Sequence, residues 1–223
     1  AVAAAAMAEG AKVSAAIRDP SRAEDLASNG IGAVVLSPDG AVPADHIAEV
    51  TDILVSAPPG PEGCPALAAF GGRLPPNVGW VGYYSSTAVY GDCGGAWIDE
   101  TREPAPRGAD AQARLIAEMQ WRRAVDHAGA ALDVLRIAGI YGPDGRNVLA
   151  QLGSGKARAI IKPGQVFNRI HRDDIAGATL AAMRSPATTP RLTNLADGAP
   201  SPASEVLMGV AAMLNLPPPP EVA

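Results

Sequence analysis

The sequence predicts an α/β fold in which helices cover both faces of a doubly wound parallel sheet. Short apolar segments alternate along the chain with segments that carry helix start and stop signals. The apolar segments are nearly continuous, a pattern typical of parallel strands that are buried on both faces. With 223 residues, of which 48% are hydrophobic and 18% charged, the chain can form one packed domain with a small additional lobe.

The first half of the chain shows this alternation most clearly. Strong helix formers fill the first eight residues, Asp19-Pro20-Ser21 is a helix start, and Asn29-Gly30 is a helix stop. The prolines after Ser56 force a loop at the end of an apolar run. The predicted helices are 1–8, 22–28, 44–50 and 64–73, and the predicted strands are 12–17, 31–36, 52–56 and 80–84.

The second half continues with longer elements. A helix with one apolar side is predicted over 110–128, and a buried strand follows it. Two short strands are predicted on either side of the turn at Pro163 and Gly164. The remaining predicted helices are 147–153, 174–184 and 202–214, and the predicted strands are 132–137, 159–162, 165–167 and 191–195.

Composition argues against several classes of partner. The net charge of −5 leaves no basic face for nucleic acid. Cys64 and Cys93 lie far apart, which gives neither a disulfide framework nor a zinc set. No apolar run approaches the roughly 20 residues of a membrane span, and the alanine-rich start lacks the basic region of a signal peptide. We therefore expect a cytoplasmic protein without a metal, a membrane or a nucleic acid as partner.

The strand predicted at 80–84 leads directly into three hydroxyl residues, Ser85, Ser86 and Thr87. In open parallel sheets, ligands bind beyond the carboxyl ends of the strands, so these hydroxyls are placed to face a ligand. The alternative is that they end the strand and bond the backbone of the turn. The pattern itself leaves both interpretations open.

The segment SSTAVYG at 85–91, followed by Asp99-Glu100-Thr101, resembles the active-site strand of the extended short-chain dehydrogenase/reductase family, the NAD-dependent epimerases and dehydratases. The segments AIRDP, VSAPP, LRIAGIYGPDGR and IKPGQVFNRIHRDDIA extend the resemblance over nearly the whole chain, toward an atypical bacterial subgroup. It implies a Rossmann-like fold, with a nucleotide-binding domain over 1–145. Residues 146–223 are then expected to hold a partial, small C-terminal substrate lobe with a returning strand and helix.

Two family features are missing from this sequence. The chain begins at a helix and contains no GxGxxG, so the first strand and the glycine-rich turn are expected to be absent, whether by truncation or by loss. There is also no YxxxK, and the family register places Asp110 and Arg114 at those two positions. A carboxylate with a usual pKa of about 3.9 cannot replace a phenol as a proton donor near neutral pH.

The resemblance implies roles for individual residues. Ser86 takes the position of the catalytic hydroxyl, Thr87 is the alternative, and Tyr90 or Tyr141 is a surrogate acid. Arg18 ends a strand where an arginine accommodates the 2′-phosphate of NADP, whereas an acidic residue such as the adjacent Asp19 favours the ribose of NAD; with Arg18 first, NADP is expected in preference to NAD. The alternative is an exposed arginine beside a helix-capping Asp19. The residues expected to bind cofactor are Arg18, Ser56, Ala57, Pro58, Ser85, Arg114, Gly139 and Ile140, and those expected to bind substrate are Asn168 and Arg169.

Two functions remain open at this point. The first is an NAD(P)-dependent oxidoreductase, epimerase or dehydratase that acts on a small hydroxyl or carbonyl compound, for example one similar to a nucleotide sugar. The second is a non-catalytic nucleotide-binding protein for redox sensing or scaffolding, which the missing YxxxK favours. A truncated, inactive product is a third interpretation. The family also implies a homodimer.

Overall fold

The computed structural model describes residues 1–143 and 148–222. Its helices are α1 Val2–Ala8, α2 Ala23–Ser28, α3 Pro65–Ala69, α4 Ala109–Ala128, α5 Val148–Gly153, α6 Arg172–Arg184 and α7 Ala203–Met213. Its strands are β1 Ser14–Ile17, β2 Gly32–Val35, β3 Asp52–Val55, β4 Trp80–Ser86, β5 Ala131–Ile137, β6 Gly139–Tyr141, β7 Ala159–Ile160, β8 Arg169–His171, β9 Arg191–Leu195 and β10 Glu221–Val222.

The central sheet has four parallel strands in the order β3-β4-β5-β9. A second parallel pair, β1-β2, is separate from it, and the described residues form no strand that joins β1 to β3. In the usual doubly wound order the first strand lies at that place. The predicted α/β class with a parallel sheet is confirmed.

Helices cover both faces of the central sheet. On one face, α4 packs against β4 and β5 around Tyr83, Trp121 and Leu132, all of which are fully buried. On the other face, Thr179 of α6 shares a 2.8 Å hydrogen bond with the Tyr84 hydroxyl of β4. Because successive strand residues point to opposite faces, neighbouring tyrosines in β4 anchor different helices.

The long helix α4 has clear limits in the sequence. It begins after Gly108 and ends at Gly129, which adopts the left-handed conformation that commonly closes a helix. Its buried side carries small alanines together with Trp121, so the backbone can approach the sheet closely. This close packing brings Glu118 within bonding distance of the strands.

Several predicted boundaries are wrong. Strand β4 continues to Ser86, because Ser85 and Ser86 pair with Arg136 and Ile137 of β5. The predicted helix at 44–50 is a single 3-10 turn, Ala44–His46, and the helix predicted at 64–73 is the shorter α3. The predicted strand at 165–167 is wrong, since within it only Phe167 pairs, through an isolated bridge to Ser201.

The unpredicted strands β6 and β8 pair in parallel just beyond the end of β5. Gly139 and Arg169 begin this pairing, and the Gly139 N–H donates to the Asn168 carbonyl at 3.1 Å. The partners are about 30 residues apart in sequence, so no local pattern predicts the contact. The predicted boundary between 145 and 146 and the predicted helix start at Asn147 lie outside the described residues.

None of the helices in the described part of the chain is long and apolar enough to cross a membrane.

Candidate functional site

The candidate site lies at the carboxyl edge of the central sheet. Because β3, β4, β5 and β9 are parallel, the segments that follow them emerge on the same side. The segment 56–58 follows β3, Thr87 follows β4, and Gly139 and Ile140 come shortly after β5. Ser56, Pro58, Gly139 and Ile140 are exposed, and Ala57 and Thr87 are half-buried. The sheet therefore brings together candidates that the sequence separates widely.

Ser86 combines the two roles that the sequence left open. Its Oγ accepts a 3.1 Å hydrogen bond from the Ala88 N–H and so caps the 3-10 turn Thr87–Tyr90. A serine hydroxyl also has one hydrogen to donate, and the cap uses only a lone pair. Ser86 can therefore hold the turn and donate to a ligand oxygen at the same time.

Ser85 faces the helix rather than the edge. It is buried, and its hydroxyl donates a short hydrogen bond to the Glu118 carboxylate of α4. The same carboxylate accepts two bonds from Arg136, at 3.0 Å from Nε and 2.7 Å from Nη2. Glu118 and Arg136 are 8% and 4% exposed, so this is a buried two-point ion pair. We predicted cofactor binding for Ser85, and the structure gives it this internal contact.

Tyr90 is part of the same buried network. Its ring lies 4.6 Å from the guanidinium carbon of Arg136, and its hydroxyl donates to Asn194 Oδ1 at 2.8 Å. The Asn194 N–H in turn donates to Glu100 Oε1 at 2.6 Å. The network therefore links the ends of β4 and β9 to the loop at 91–106. Proton transfer by Tyr90 stays a prediction, and it would require release of the bond to Asn194.

The four tyrosines differ sharply in their access to solvent. Burial raises the pKa of Tyr83 to about 12, and its hydroxyl has no hydrogen-bond partner among the described residues. Burial also raises the pKa of Tyr84, although the bond to Thr179 opposes this shift. Tyr141 is 43% exposed, and its ring meets His171 edge-on at 5.2 Å. Of the four phenols, Tyr141 is the accessible one.

Asp110 and Arg114 are the residues that the family resemblance aligns with the tyrosine and the lysine of YxxxK, respectively. Arg114 is half-buried, and its Nη1 donates to the carbonyl oxygen of Tyr84 at 2.6 Å. The guanidinium is thus a fixed cation beside the last residues of β4, with other N–H groups left to bind a ribose or phosphate oxygen. Asp110 is exposed in the first turn of α4, where its charge suits the helix dipole.

The remaining predicted positions lie in separate segments. Arg18 follows β1 and is exposed. Asn168 is exposed just before β8. Arg169 is half-buried, and its Nη1 donates to Ser201 Oγ at 2.9 Å and to the Phe167 carbonyl at 3.2 Å. Those contacts hold the arginine against the loop before α7.

Sequence reasoning missed the ion pair of Glu118 and Arg136. A signal was present, since the predicted buried strand contains two charged residues, Asp133 and Arg136, and a buried arginine needs an acidic partner. Within the described residues, no cluster of His, Cys, Asp and Glu could hold a metal ion.

Comparison with known proteins gave matches among solved structures. No family model matches the chain, and no curated protein is similar to it. A functionally unknown conserved protein from Silicibacter pomeroyi DSS is 38% identical, with a TM-score of 0.89 over 99% of this chain and 76% of its own.

Two enzymes share the fold at much lower identity. The UDP-N-acetylglucosamine 4-epimerase from Bacillus cereus is 15% identical, with a TM-score of 0.81 over 99% of this chain and 80% of its own. MoeE5, solved in complex with UDP-glucose and NAD, is 17% identical, with a TM-score of 0.75 over 100% of this chain and 80% of its own. The chain belongs to the same family as the Silicibacter protein, and it shares the fold of its structural neighbours, which are NAD-dependent epimerase and dehydratase enzymes.

Proposed function

We propose that this protein binds a nicotinamide dinucleotide at the carboxyl edge of its sheet and acts on a small hydroxyl or carbonyl substrate, as an oxidoreductase, epimerase or dehydratase. The observation that carries the proposal is the topology, which puts Ser86 and Thr87 at the end of β4, between the partly exposed segments that follow the neighbouring parallel strands β3 and β5. MoeE5, solved with UDP-glucose and NAD, supports a nucleotide-sugar-like substrate. The part up to residue 145 serves the cofactor, and the part from 146 serves the substrate.

The residues at this edge fit such a cofactor. Exposed Ile140 offers an apolar surface for the planar ring of the cofactor, while Ser86 keeps a hydroxyl hydrogen to donate to the substrate. Arg114 is a fixed cation beside the strand end. Asn168 and Arg169 border the edge from the other lobe. When bound, the nicotinamide group accepts or supplies a hydride.

The protein's own residues then bind the substrate oxygen and exchange a proton with it. Ser86 or Thr87 donates a hydrogen bond to that oxygen and polarises the carbonyl. Tyr141 is the phenol that can give or take the proton, because the other three tyrosines are buried or only half-exposed and two of those bond to neighbours. Asp110 cannot do so near neutral pH without a strongly raised pKa.

Replacing both Ser86 and Thr87 by alanine is expected to lower turnover about 100-fold, the usual cost of losing an aligned donor to a developing oxyanion. Cofactor affinity should stay within about twofold of the parent protein. The measurement is NADPH oxidation with a panel of small carbonyl compounds, and Ser154→Ala removes an exposed hydroxyl of another segment as the control. Equal turnover in the double variant and the parent would contradict the assigned role.

Arg18 is expected to select NADP. Replacing it by glutamate should weaken NADPH binding about tenfold and leave NADH binding nearly unchanged, because a charge-assisted bond to the 2′-phosphate is worth roughly 1.5–3 kcal/mol. Titration of cofactor fluorescence gives both affinities. Arg22→Glu makes the same charge change on a nearby exposed residue and should have little effect. Equal affinity of the parent protein for both cofactors would refute this preference.

A non-catalytic nucleotide-binding protein is the second candidate. Asp110 and Arg114 favour it, because neither can replace the missing tyrosine in proton transfer. Cofactor binding without turnover on any carbonyl compound of the panel would support this candidate over the enzyme.

A further inference from the structure

Trp97 stands apart from the other two tryptophans of the chain. Trp80 and Trp121 are 1% and 0% exposed, whereas Trp97 is 78% exposed. An exposed tryptophan offers a large, rigid π face that loses little conformational entropy when it binds. Exposure alone assigns no role, so its position on the molecule decides what it can contact.

The loop at 91–106 carries Trp97 across the carboxyl edge of the sheet. Near its end, the Ala105 N–H donates to the Val89 carbonyl at 3.0 Å, beside the end of β4. A Cβ atom at Gly95 would lie 3.3 Å from the Gly164 carbonyl oxygen, which places this part against the second lobe. Glu100 then accepts the bond from Asn194 in β9. In sequence, Trp97 lies between these last two contacts, in a loop that is anchored to the ends of β4 and β9.

Turns on both sides of Trp97 fix its backbone. Before it, the Gly94 N–H donates to Asp92 Oδ1 at 2.9 Å, and the Ala96 N–H donates to the Cys93 carbonyl at 3.1 Å. After it, Asp99 Oδ1 accepts bonds from the N–H and the hydroxyl of Thr101. The indole is therefore presented by an ordered segment, so less ordering is needed when a ligand binds.

The charges of this loop restrict what can meet the indole. The loop contains four acidic residues, Asp92, Asp99, Glu100 and Glu103, and one basic residue, Arg102. Arg107, just after the loop, lies 3.7 Å from Asp92 and offsets its charge. A phosphate group would be repelled here. A flat, uncharged or cationic ring suits the site best.

We propose that Trp97 stacks on a planar heteroaromatic ring of a nucleotide ligand bound at the carboxyl edge. The ring belongs either to the dinucleotide cofactor or to the base of a nucleoside diphosphate substrate, since both present the same flat π face. This inference rests on the proposed function and adds a binding residue outside the predicted set.

The test uses the fact that Trp97 is the exposed tryptophan of the chain. Acrylamide quenching of tryptophan fluorescence is measured without ligand, with NADPH, and with UDP-glucose, while calorimetry measures binding independently. We expect a bound ligand to lower the quenching constant of the parent protein at least twofold, and to leave that of Trp97→Phe unchanged. Trp97→Ala should weaken binding about tenfold, and Trp97→Phe by less than about threefold, because phenylalanine still stacks.

The control is Met213→Ala, which removes a side chain that is 84% exposed in α7, away from the loop. Its affinities should equal those of the parent protein. Protection by NADPH alone assigns the ring to the cofactor, and protection by UDP-glucose alone assigns it to the substrate.

Two results would overturn the inference in different ways. The stacking role is refuted if calorimetry shows binding while the quenching constant stays unchanged and Trp97→Ala keeps full affinity. The proposed function is not affected by that result. Absence of calorimetric binding by both ligands refutes the proposed function and the stacking role together.

Discussion

Replacing Glu118 by glutamine is expected to lower the free energy of unfolding by about 3–5 kcal/mol, the usual cost of removing one partner from a buried ion pair. Arg136 is 4% exposed, and both of its nitrogens that face the carboxylate are donors. The amide of glutamine offers one oxygen to accept from Ser85 and Arg136 Nε, but its NH2 group cannot accept the other bond, so the loss reports the charge and one hydrogen bond rather than the space. For a chain of this length, such a loss lowers the melting temperature by roughly 6–20 °C.

Thermal and urea unfolding measure this effect. Asp126→Asn, which neutralises an exposed carboxylate on the same helix, should change the stability by less than about 0.5 kcal/mol. A double variant, Glu118→Leu with Arg136→Met, should recover much of the loss, because apolar residues of similar volume need no charge partner. A loss below about 1 kcal/mol for Glu118→Gln would show that water or another group already compensates Arg136.

The change Gly91→Ala is expected to cost about 3 kcal/mol. Gly91 has φ 71° and ψ −150°, a region that side chains with a Cβ rarely adopt. A Cβ there would also lie 2.2 Å from the Ala105 carbonyl oxygen, which belongs to the backbone and cannot rotate away. The variant must therefore separate the two ends of the loop that carries Trp97, so it should also weaken nucleotide binding.

Gly72 serves as the comparison, because a Cβ there meets the cost of a positive φ without a steric clash. Gly72 has φ 77°, with no atom within 4 Å of the position of a Cβ, so Gly72→Ala should cost only about 1–2 kcal/mol. Denaturant unfolding of both variants measures the difference. Equal losses in the two variants would mean that the loop moves freely to accept the new methyl group.

The sequence predicted the alternation of elements and the parallel sheet well. Helix α4 and strands β3, β5 and β9 lie within a residue or two of their predicted places, because caps, glycine stops and apolar runs are local signals. The short elements were predicted less well. Phe167 pairs with distant Ser201, and Gly139–Tyr141 pairs with Arg169–His171, so their conformation depends on partners that no local window contains.

The candidate site divides in the same way. Ser86, Thr87 and Tyr141 are predicted as site residues because hydroxyl residues follow a strand end and because the segments that contain them resemble the family's motifs. The sequence could not show that Ser85 turns inward to Glu118, that Tyr90 donates to Asn194, or that Tyr141 is the accessible phenol. The alternation of side chains along a strand shows which residues share a face, but it does not show which face a helix covers.

The sequence by itself determined the fold class and the order of the elements, because both follow from short-range periodicity and turn chemistry. It also determined the family resemblance, which rests on the motifs quoted above. Only the tertiary structure decided which hydroxyls make internal hydrogen bonds and which can still donate to a ligand. That division depends on burial and on partners from α4, β5 and β9, which only the packed sheet brings to one edge.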